Sequence, residues 1–220
     1  MIVLTPSLEK IFKLVNDAGY KIYLVGGFVR DSLLNKKTTD YDLATNLPLD
    51  KIEKIIKGST LIQSTGSSLF SAKILFENHC YEITNLRLEG IYKKLGYPSN
   101  VKLTDDIYED LKRRDFTINS IAFSPIDGLI DPFNGQIDLK NKIIKTIKDP
   151  YLSYKEDPTR ILRAFRFAIQ LNFKIEDTNL LAIKQNKHLL TKLSKHQIDK
   201  ELAKFSKKEI KILKEKGIIE

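Results

Sequence analysis

Apolar residues recur at helical spacing over residues 7–18, at Leu8, Ile11, Phe12 and Val15, which predicts an amphipathic helix. The pattern then changes. Lys21–Val25 is a short β-branched and aromatic run, followed by Gly26-Gly27 and a helical stretch to Leu34. Residues 40–44, 72–76, 80–84 and 118–123 read as strands, and Pro48 to Lys57 reads as a helix. Turn signals are dense at GG, TGSS, GYPSN, DG and FNG. From Pro158 onward only helical periodicity remains. One apolar stripe joins Ile161, Leu162, Phe165, Ala168 and Ile169, a second Leu180, Leu181 and Ile183, and a third Leu202, Ala203 and Phe205. The chain is expected to be α/β, with a mixed-sheet domain over residues 1–147 and a small all-helical domain over 148–220.

Length and composition narrow the class. A chain of 220 residues with 42% apolar and 30% charged residues can bury a proper core and is not a disordered tail. The absence of a long apolar run argues against a spanning helix and a membrane partner. The start, MIVLTPSLEKIF, lacks the pattern of a secretory signal. The single cysteine, Cys80, excludes a disulfide framework and a cysteine-based zinc site, and three scattered histidines give no metal cluster. A reducing cytoplasm is the expected compartment.

The charge is unevenly placed. Residues 1–140 hold 18 Lys and Arg against 18 Asp and Glu, whereas residues 141–220 hold 19 against 10. The whole net charge of +9 therefore lies in the last 80 residues. Two readings stay open: a surface for a polyanion, or the ordinary solvated face of a Lys-rich helical domain.

Two constellations carry chemistry. Asp40 and Asp42 alternate on a predicted strand, so they point to one face and repel unless a cation lies between them. Hard oxygen ligands suit Mg²⁺, and two such ions are the usual platform for in-line nucleotidyl transfer. Taken alone, a D-x-D is more often a surface pair. About a dozen residues upstream, Leu24-Val25-Gly26-Gly27-Phe28-Val29-Arg30-Asp31 runs from strand through glycines into helix. That turn permits close backbone approach and offers free N–H groups to a phosphate, with Arg30 as an added donor.

Together, LVGGFVRDSLL and TTDYDLATN resemble the signature of the nucleotidyltransferase superfamily that includes DNA polymerase β. More narrowly they resemble class II tRNA nucleotidyltransferases, the CCA-adding enzymes, and bacterial poly(A) polymerases. Three further segments match in order: Glu109–Asn119 (EDLKRRDFTIN), Asp131–Leu139 (DPFNGQIDL) and Glu156–Phe167 (EDPTRILRAFRF). The resemblance implies a polymerase β-like nucleotidyltransferase head followed by a helical neck. It implies template-independent addition of C and A to the 3′ end of tRNA, with CTP and ATP as substrates and two Mg²⁺ ions held by Asp40 and Asp42.

Nucleotide-binding roles are implied for Gly26, Gly27, Arg30, Asp110, Arg113, Arg114, Asp115, Asn119, Asp157, Arg160, Arg163 and Arg166. Arg113-Arg114-Asp115 would surround ribose and triphosphate. Asp157, Arg160, Arg163 and Arg166 recur every three residues and are expected along one helix face. Cytosine and adenine place a donating amine beside an accepting ring nitrogen, which an Asp–Arg pair can match, whereas uracil and guanine present a carbonyl at the amine position. The resemblance assigns this selection to Asp157 and Arg160, and would have Arg163 and Arg166 meet the base edge or the triphosphate. Glu82 is either a further carboxylate near the metals or an ordinary sheet residue. Residues 87–108 align with a loop that the family uses in switching from C to A.

Family members are usually longer, with body and tail regions that hold tRNA. A second chain could supply these. At Ser194–Ile198 the family's Glu-Arg pair is replaced by His196-Gln197, while Glu201 remains, which removes an expected brace of the neck. An A-adding enzyme, a poly(A) polymerase and a truncated RNA-binding remnant are the alternative readings.

Overall fold

The computed structural model describes residues 2–64 and 70–219. The TGSS turn signal at 65–68 lies outside the described residues. The elements are, in order, α1 (Pro6–Asp17), β1 (Ile22–Val25), α2 (Gly26–Leu33), β2 (Tyr41–Thr45), α3 (Ile52–Ile55), β3 (Thr60–Ser64), β4 (Ser71–Phe76) and β5 (His79–Asn85). Then follow β6 (Arg87–Leu88), β7 (Tyr92–Lys94), β8 (Tyr97–Pro98), β9 (Lys102–Leu103), α4 (Ile107–Lys112), β10 (Ala122–Ser124), β11 (Gly128–Ile130), α5 (Gly135–Asn141) and β12 (Ile143–Ile144). The chain ends with α6 (Pro150–Glu156), α7 (Thr159–Leu171), β13 (Lys174–Ile175), α8 (Asp177–Asn186), α9 (Lys195–Leu202) and α10 (Lys207–Glu215).

The contacts gather these elements into two units that interleave in sequence, whereas the sequence pattern draws one cut at 147. The first comprises residues 1–88, 102–114 and 119–136; the second comprises 89–101, 115–118 and 137–220.

The first unit is built on a seven-stranded sheet of order β11-β10-β1-β2-β5-β4-β3. Its neighbours are antiparallel except β2 and β5, which run parallel with Asp42 opposite Glu82. Helix α1 starts where Thr5 accepts from the Leu8 N–H, with Pro6 at its first position, and buries Leu8, Ile11, Phe12 and Val15. Tyr81, fully buried in β5, meets Ser7 of α1 at 2.6 Å. A core cluster of Tyr23, Val25, Ala44, Leu86, Ile107, Leu111 and Ala122 packs α4 onto β1, β2 and β10.

Two expectations differ here. The strand expected at 118–123 is a 3₁₀ turn at Thr117–Asn119 followed by the shorter β10. Ser120 donates to the Leu111 carbonyl at 2.6 Å, a side-chain bond that holds the segment off the sheet. The helix expected over 48–57 is a 3₁₀ turn at Leu49–Lys51 leading into the single turn of α3.

The second unit is mainly helical, but β12 and β13 form a short parallel pair that the periodicity does not show. Helix α7 carries the main core face, burying Ile161, Leu162, Ala164, Phe165 and Phe167. The α8 stripe is displaced. Leu180 and Leu181 are exposed, and Asn179, Ala182, Ile183 and Asn186 face inward. Asn179 is kept inside by hydrogen bonds with Tyr154 (2.9 Å) and Glu176 (2.8 Å), so polar residues compete with leucines for the buried face. Among the described residues no helix is long and apolar enough to cross a membrane.

Candidate functional site

In the first unit, β1 ends at an extended Val25, and the chain enters α2 through Gly26 at φ +65°. A side chain there would be strained by the backbone alone. A Cβ built on Gly26 would lie 3.5 Å from Asp42 Oδ2 and from Arg114 Nη1, and one on Gly27 would lie 3.9 Å from Asp42 Oδ2. The glycine turn, the second carboxylate of D-x-D and one arginine of Arg113-Arg114 therefore share one small space at the N-terminus of α2.

Asp42 is half-buried in β2, and Asp40 is exposed one residue before the strand. Burial, Asp40 and Glu82 push the Asp42 carboxyl up to about 6, against the lowering pull of Arg114 and Arg30. Asp40 and Glu82 raise this carboxyl in the same sense as burial, and Arg114 and Arg30 oppose them. Glu82 lies opposite Asp42 in the register and 3.5 Å from Lys73, so it is both a sheet residue and a source of that negative field. Among the described residues no group of three or more His, Cys, Asp and Glu is placed to hold a metal ion by itself.

The other residues expected at this site are engaged with one another. Arg30 is almost buried and donates from Nε and Nη2 to the two oxygens of Asp31, both at 2.9 Å, and from Nη1 to Asn119 at 2.7 Å. Asp110 has no exposed surface. One of its oxygens accepts from Arg113 (2.7 Å) and the other from Arg114 (2.8 Å). Burial would push the Asp110 carboxyl up, but Arg114 and Arg113 hold it below the usual carboxylate range. Asp110 is thus the counter-ion that aims two arginines.

The second unit holds Asp115 and the E-D-x-x-R segment. Asp157 is not on the helix with the three arginines. It sits in the break between α6 and α7, where Pro158 follows, with extended backbone at φ −137° and ψ 91°. Its Oδ1 accepts from Thr159 N–H (3.1 Å) and Thr159 Oγ1 (2.6 Å), and its Oδ2 lies 3.9 Å from Arg160 Nε. Arg160 is buried, with its Nη1 donating to Ser153 Oγ at 2.7 Å.

Arg163 does not extend that pair. It meets Asp115 Oδ2 at 2.6 Å and lies 3.8 Å from Glu201, and the Arg166 guanidinium stacks over Phe167 at 4.3 Å. The anions facing Arg160 and Arg163 are therefore the protein's own. Glu201 is buried and also pairs with Lys204 at 2.7 Å. Ser194 and Gln197 form a capping box at the start of α9. Glu201 and Gln197 thus brace this part of the helical unit.

Ser153, which fixes Arg160, was not singled out in the sequence. Its seven-residue separation from Arg160 spans a helix break, so no single periodicity reports it. His188 and His196 are exposed, whereas His79 is half-buried, with its Nδ1 2.9 Å from the Glu77 carbonyl.

Residues 22–145 match the family model of the poly(A) polymerase head domain, which is more than half of the chain. The chain belongs to the poly(A) polymerase head domain family. Among its relatives, the CCA-adding enzyme of Lactobacillus helveticus is 38% identical over 195 residues, covering 89% of this chain and 48% of that protein. The CCA-adding enzyme of Enterococcus faecalis is 39% identical over 195 residues, covering 89% and 47%. The chain spans about half the length of the curated relatives it matches.

Solved structures of the family agree. The CCA-adding enzyme of Bacillus stearothermophilus in complex with CTP superimposes with a TM-score of 0.78 at 30% identity, covering 91% of this chain and 49% of that one. A tRNA nucleotidyltransferase complexed with a primer tRNA and an incoming ATP analog gives 0.71 at 32% identity, covering 88% and 55%. The mixed α/β architecture is that of these nucleotidyltransferases.

Proposed function

We propose that this chain carries the nucleotide-transfer half of a CCA-adding enzyme, adding C and A from CTP and ATP to the 3′ end of tRNA without a nucleic-acid template. The observation that carries the reading is the shared space of Gly26, Asp42 and Arg114. It puts a side-chain-free helix N-terminus, a carboxylate of raised pKa and a guanidinium within reach of one triphosphate. The relatives named for CCA addition, and the neighbours bound to CTP or to tRNA with an ATP analog, support the choice of substrates.

The donor set fits Mg²⁺. It is all oxygen, Asp40 and Glu82 add negative charge beside Asp42, and Mg²⁺ is ordinarily held by one or two carboxylates with substrate phosphates completing its shell. Asp40 and Asp42 would hold it, and bound Mg²⁺ would supply Lewis-acid stabilisation of the charge on the reacting oxygens. The chain's own groups do the rest. The N–H groups at Gly26 and Gly27 receive phosphate oxygens, as a helix N-terminus does for anions. Arg114, aimed by Asp110, adds a charge-assisted donor. The terminal 3′-hydroxyl oxygen attacks the α-phosphorus and gives up its proton to solvent, the new P–O bond replaces the bond from the α-phosphorus to the bridging oxygen, and pyrophosphate leaves.

Asp157 accepts from the exocyclic amine of C or A, and Arg160 donates to the neighbouring ring nitrogen. Uracil or guanine would set a carbonyl against the Asp157 carboxylate and a ring N–H against the buried Arg160, at a cost of about 1–3 kcal/mol for each stranded partner. Arg163 and Arg166 support this helix from within the unit. Mixing the protein with tRNA lacking its 3′ end, labelled CTP and Mg²⁺ tests the reading. Label should enter tRNA with the wild type and not with Asp42→Ala. Equal labelling by both would remove the acidic pair from the mechanism.

A further inference from the structure

Strands β7 and β8 form a hairpin closed by Lys94 opposite Tyr97, with Leu95-Gly96 as its two-residue turn. Gly96 adopts φ +75°, a conformation that a turn of this kind assigns to glycine. The tip of the hairpin meets the helical elements of its own unit at three places. The Gly96 N–H donates to the Glu156 carbonyl at 2.9 Å. Gln197 Nε2 donates to the Leu95 carbonyl at 3.2 Å. A Cβ on Gly96 would come within 2.9 Å of Gln197 Nε2 and 3.3 Å of Asp157 Oδ1, so the turn backbone lies against the Asp157 carboxylate itself.

The stem continues the contact. Tyr92 donates to Glu89 at 2.7 Å, its oxygen lies 3.5 Å from Arg160 Nη2, and Lys148, which pairs with Glu156, sits 5.5 Å over its ring. The hairpin therefore touches both members of the Asp157–Arg160 pair, one at the tip and one at the stem. Gln197 has two separate tasks. Its Oε1 accepts from Ser194 in the capping box of α9, and its Nε2 fastens the hairpin.

We propose that Gln197 is a positioning residue for nucleobase selection: from α9 it fastens the Tyr92–Pro98 hairpin, whose tip lies against the α6–α7 break, and so fixes Asp157 and Arg160 in place. This rests on the reading that Asp157 and Arg160 select the base. The hairpin tip supplies one wall of the Asp157 environment, and the φ of +75° together with the close approach to Asp157 and Gln197 favours glycine at 96.

Gln197→Glu isolates the fastening from the cap. A carboxylate still accepts from Ser194, since Glu serves a capping box as well as Gln, but it has no donor for the Leu95 carbonyl. Gly96→Ala attacks the same contact from the other side. Both variants and the full-length wild type are compared by amide hydrogen exchange and by relative kcat/KM for CTP, ATP and UTP. Losing one hydrogen bond of about 1 kcal/mol corresponds to about fivefold. Exchange over residues 92–97 and 153–160 should rise by about that factor in both variants, while β1 to β5 keep their protection. Preference for CTP and ATP over UTP should fall by a similar factor. Unchanged exchange at 92–97 overturns the proposal. So does faster exchange at 92–97 that leaves 153–160 unchanged, and so does faster exchange at both segments with unaltered base preference. If the wild type incorporates no nucleotide, the reading of function fails on its own. The exchange at 153–160 then still decides whether Gln197 positions the pair.

Discussion

Asp115 Oδ2 accepts from Arg163 at 2.6 Å across 48 residues of chain, and both belong to the helical unit. The two residues preceding Asp115 are paired with Asp110 in the mixed-sheet unit instead. A single Arg-Arg-Asp run thus serves two units. Removing one partner of a largely buried pair leaves the other charge stranded, which costs about 3–5 kcal/mol. Arg163→Ala should therefore lower stability in urea unfolding by about 3 kcal/mol, and Asp115→Asn by a similar amount. The double variant should lose much less than the sum. Strict additivity would show that the pair does not couple.

Asp110 gives a pH-dependent prediction. Its native pKa lies below the ordinary value, held there by Arg114 and Arg113 against the effect of burial. The stability it contributes is present above the unfolded carboxylate pKa of about 4 and is lost as pH falls through the lower native value. Asp110→Asn should destabilise the protein at pH 7 by about 3 kcal/mol, and the gap from wild type should narrow as pH falls below the unfolded carboxylate pKa of about 4. A gap independent of pH would mean that the two arginines do not hold the carboxylate.

Much of this was legible in the sequence because local rules governed it. The Gly26-Gly27 turn, the strand that carries Asp42 and the apolar stripe of α7 each follow from a short spacing. What periodicity misread was set by side-chain hydrogen bonds and distant partners. Pro158 breaks the helix and puts Asp157 in the junction rather than on the arginine face. Asn179 takes an inward position that a hydropathy pattern assigns to Leu180. The partners of Arg163, Asp115 and Glu201, are both distant from it in sequence, so no local spacing reports them.

Asp157 both accepts from Thr159 at the start of α7 and, in this account, reads the base, and two substitutions separate the roles. Asp157→Ala removes the acceptor for Thr159 and should cost about 1 kcal/mol of stability. It should also let UTP and GTP compete about ten- to hundredfold better. Asp157→Ser keeps an accepting oxygen and should restore stability without restoring discrimination. Equal loss with all four nucleotides in both variants would reduce Asp157 to an acceptor for Thr159.

The basic last third makes a salt-dependent prediction. Lys207, Lys208, Lys211 and Lys214 are exposed on α10, whereas Leu213 is buried. Replacing the four lysines by Gln should keep the fold and weaken tRNA binding. The slope of log affinity against log salt should fall by about 0.7–0.9 for each lysine that meets a phosphate. An unchanged slope would assign these lysines to a solvated surface.

The most direct measurement offers the purified protein tRNAs ending in −CCA, −CC, −C or none, each with one labelled nucleotide and Mg²⁺. The account predicts C on the two shortest ends, A on −CC, nothing on −CCA, no U or G at any end, and loss of all incorporation in Asp42→Ala. Addition of A alone, extension past −CCA, or incorporation that survives Asp42→Ala would contradict it.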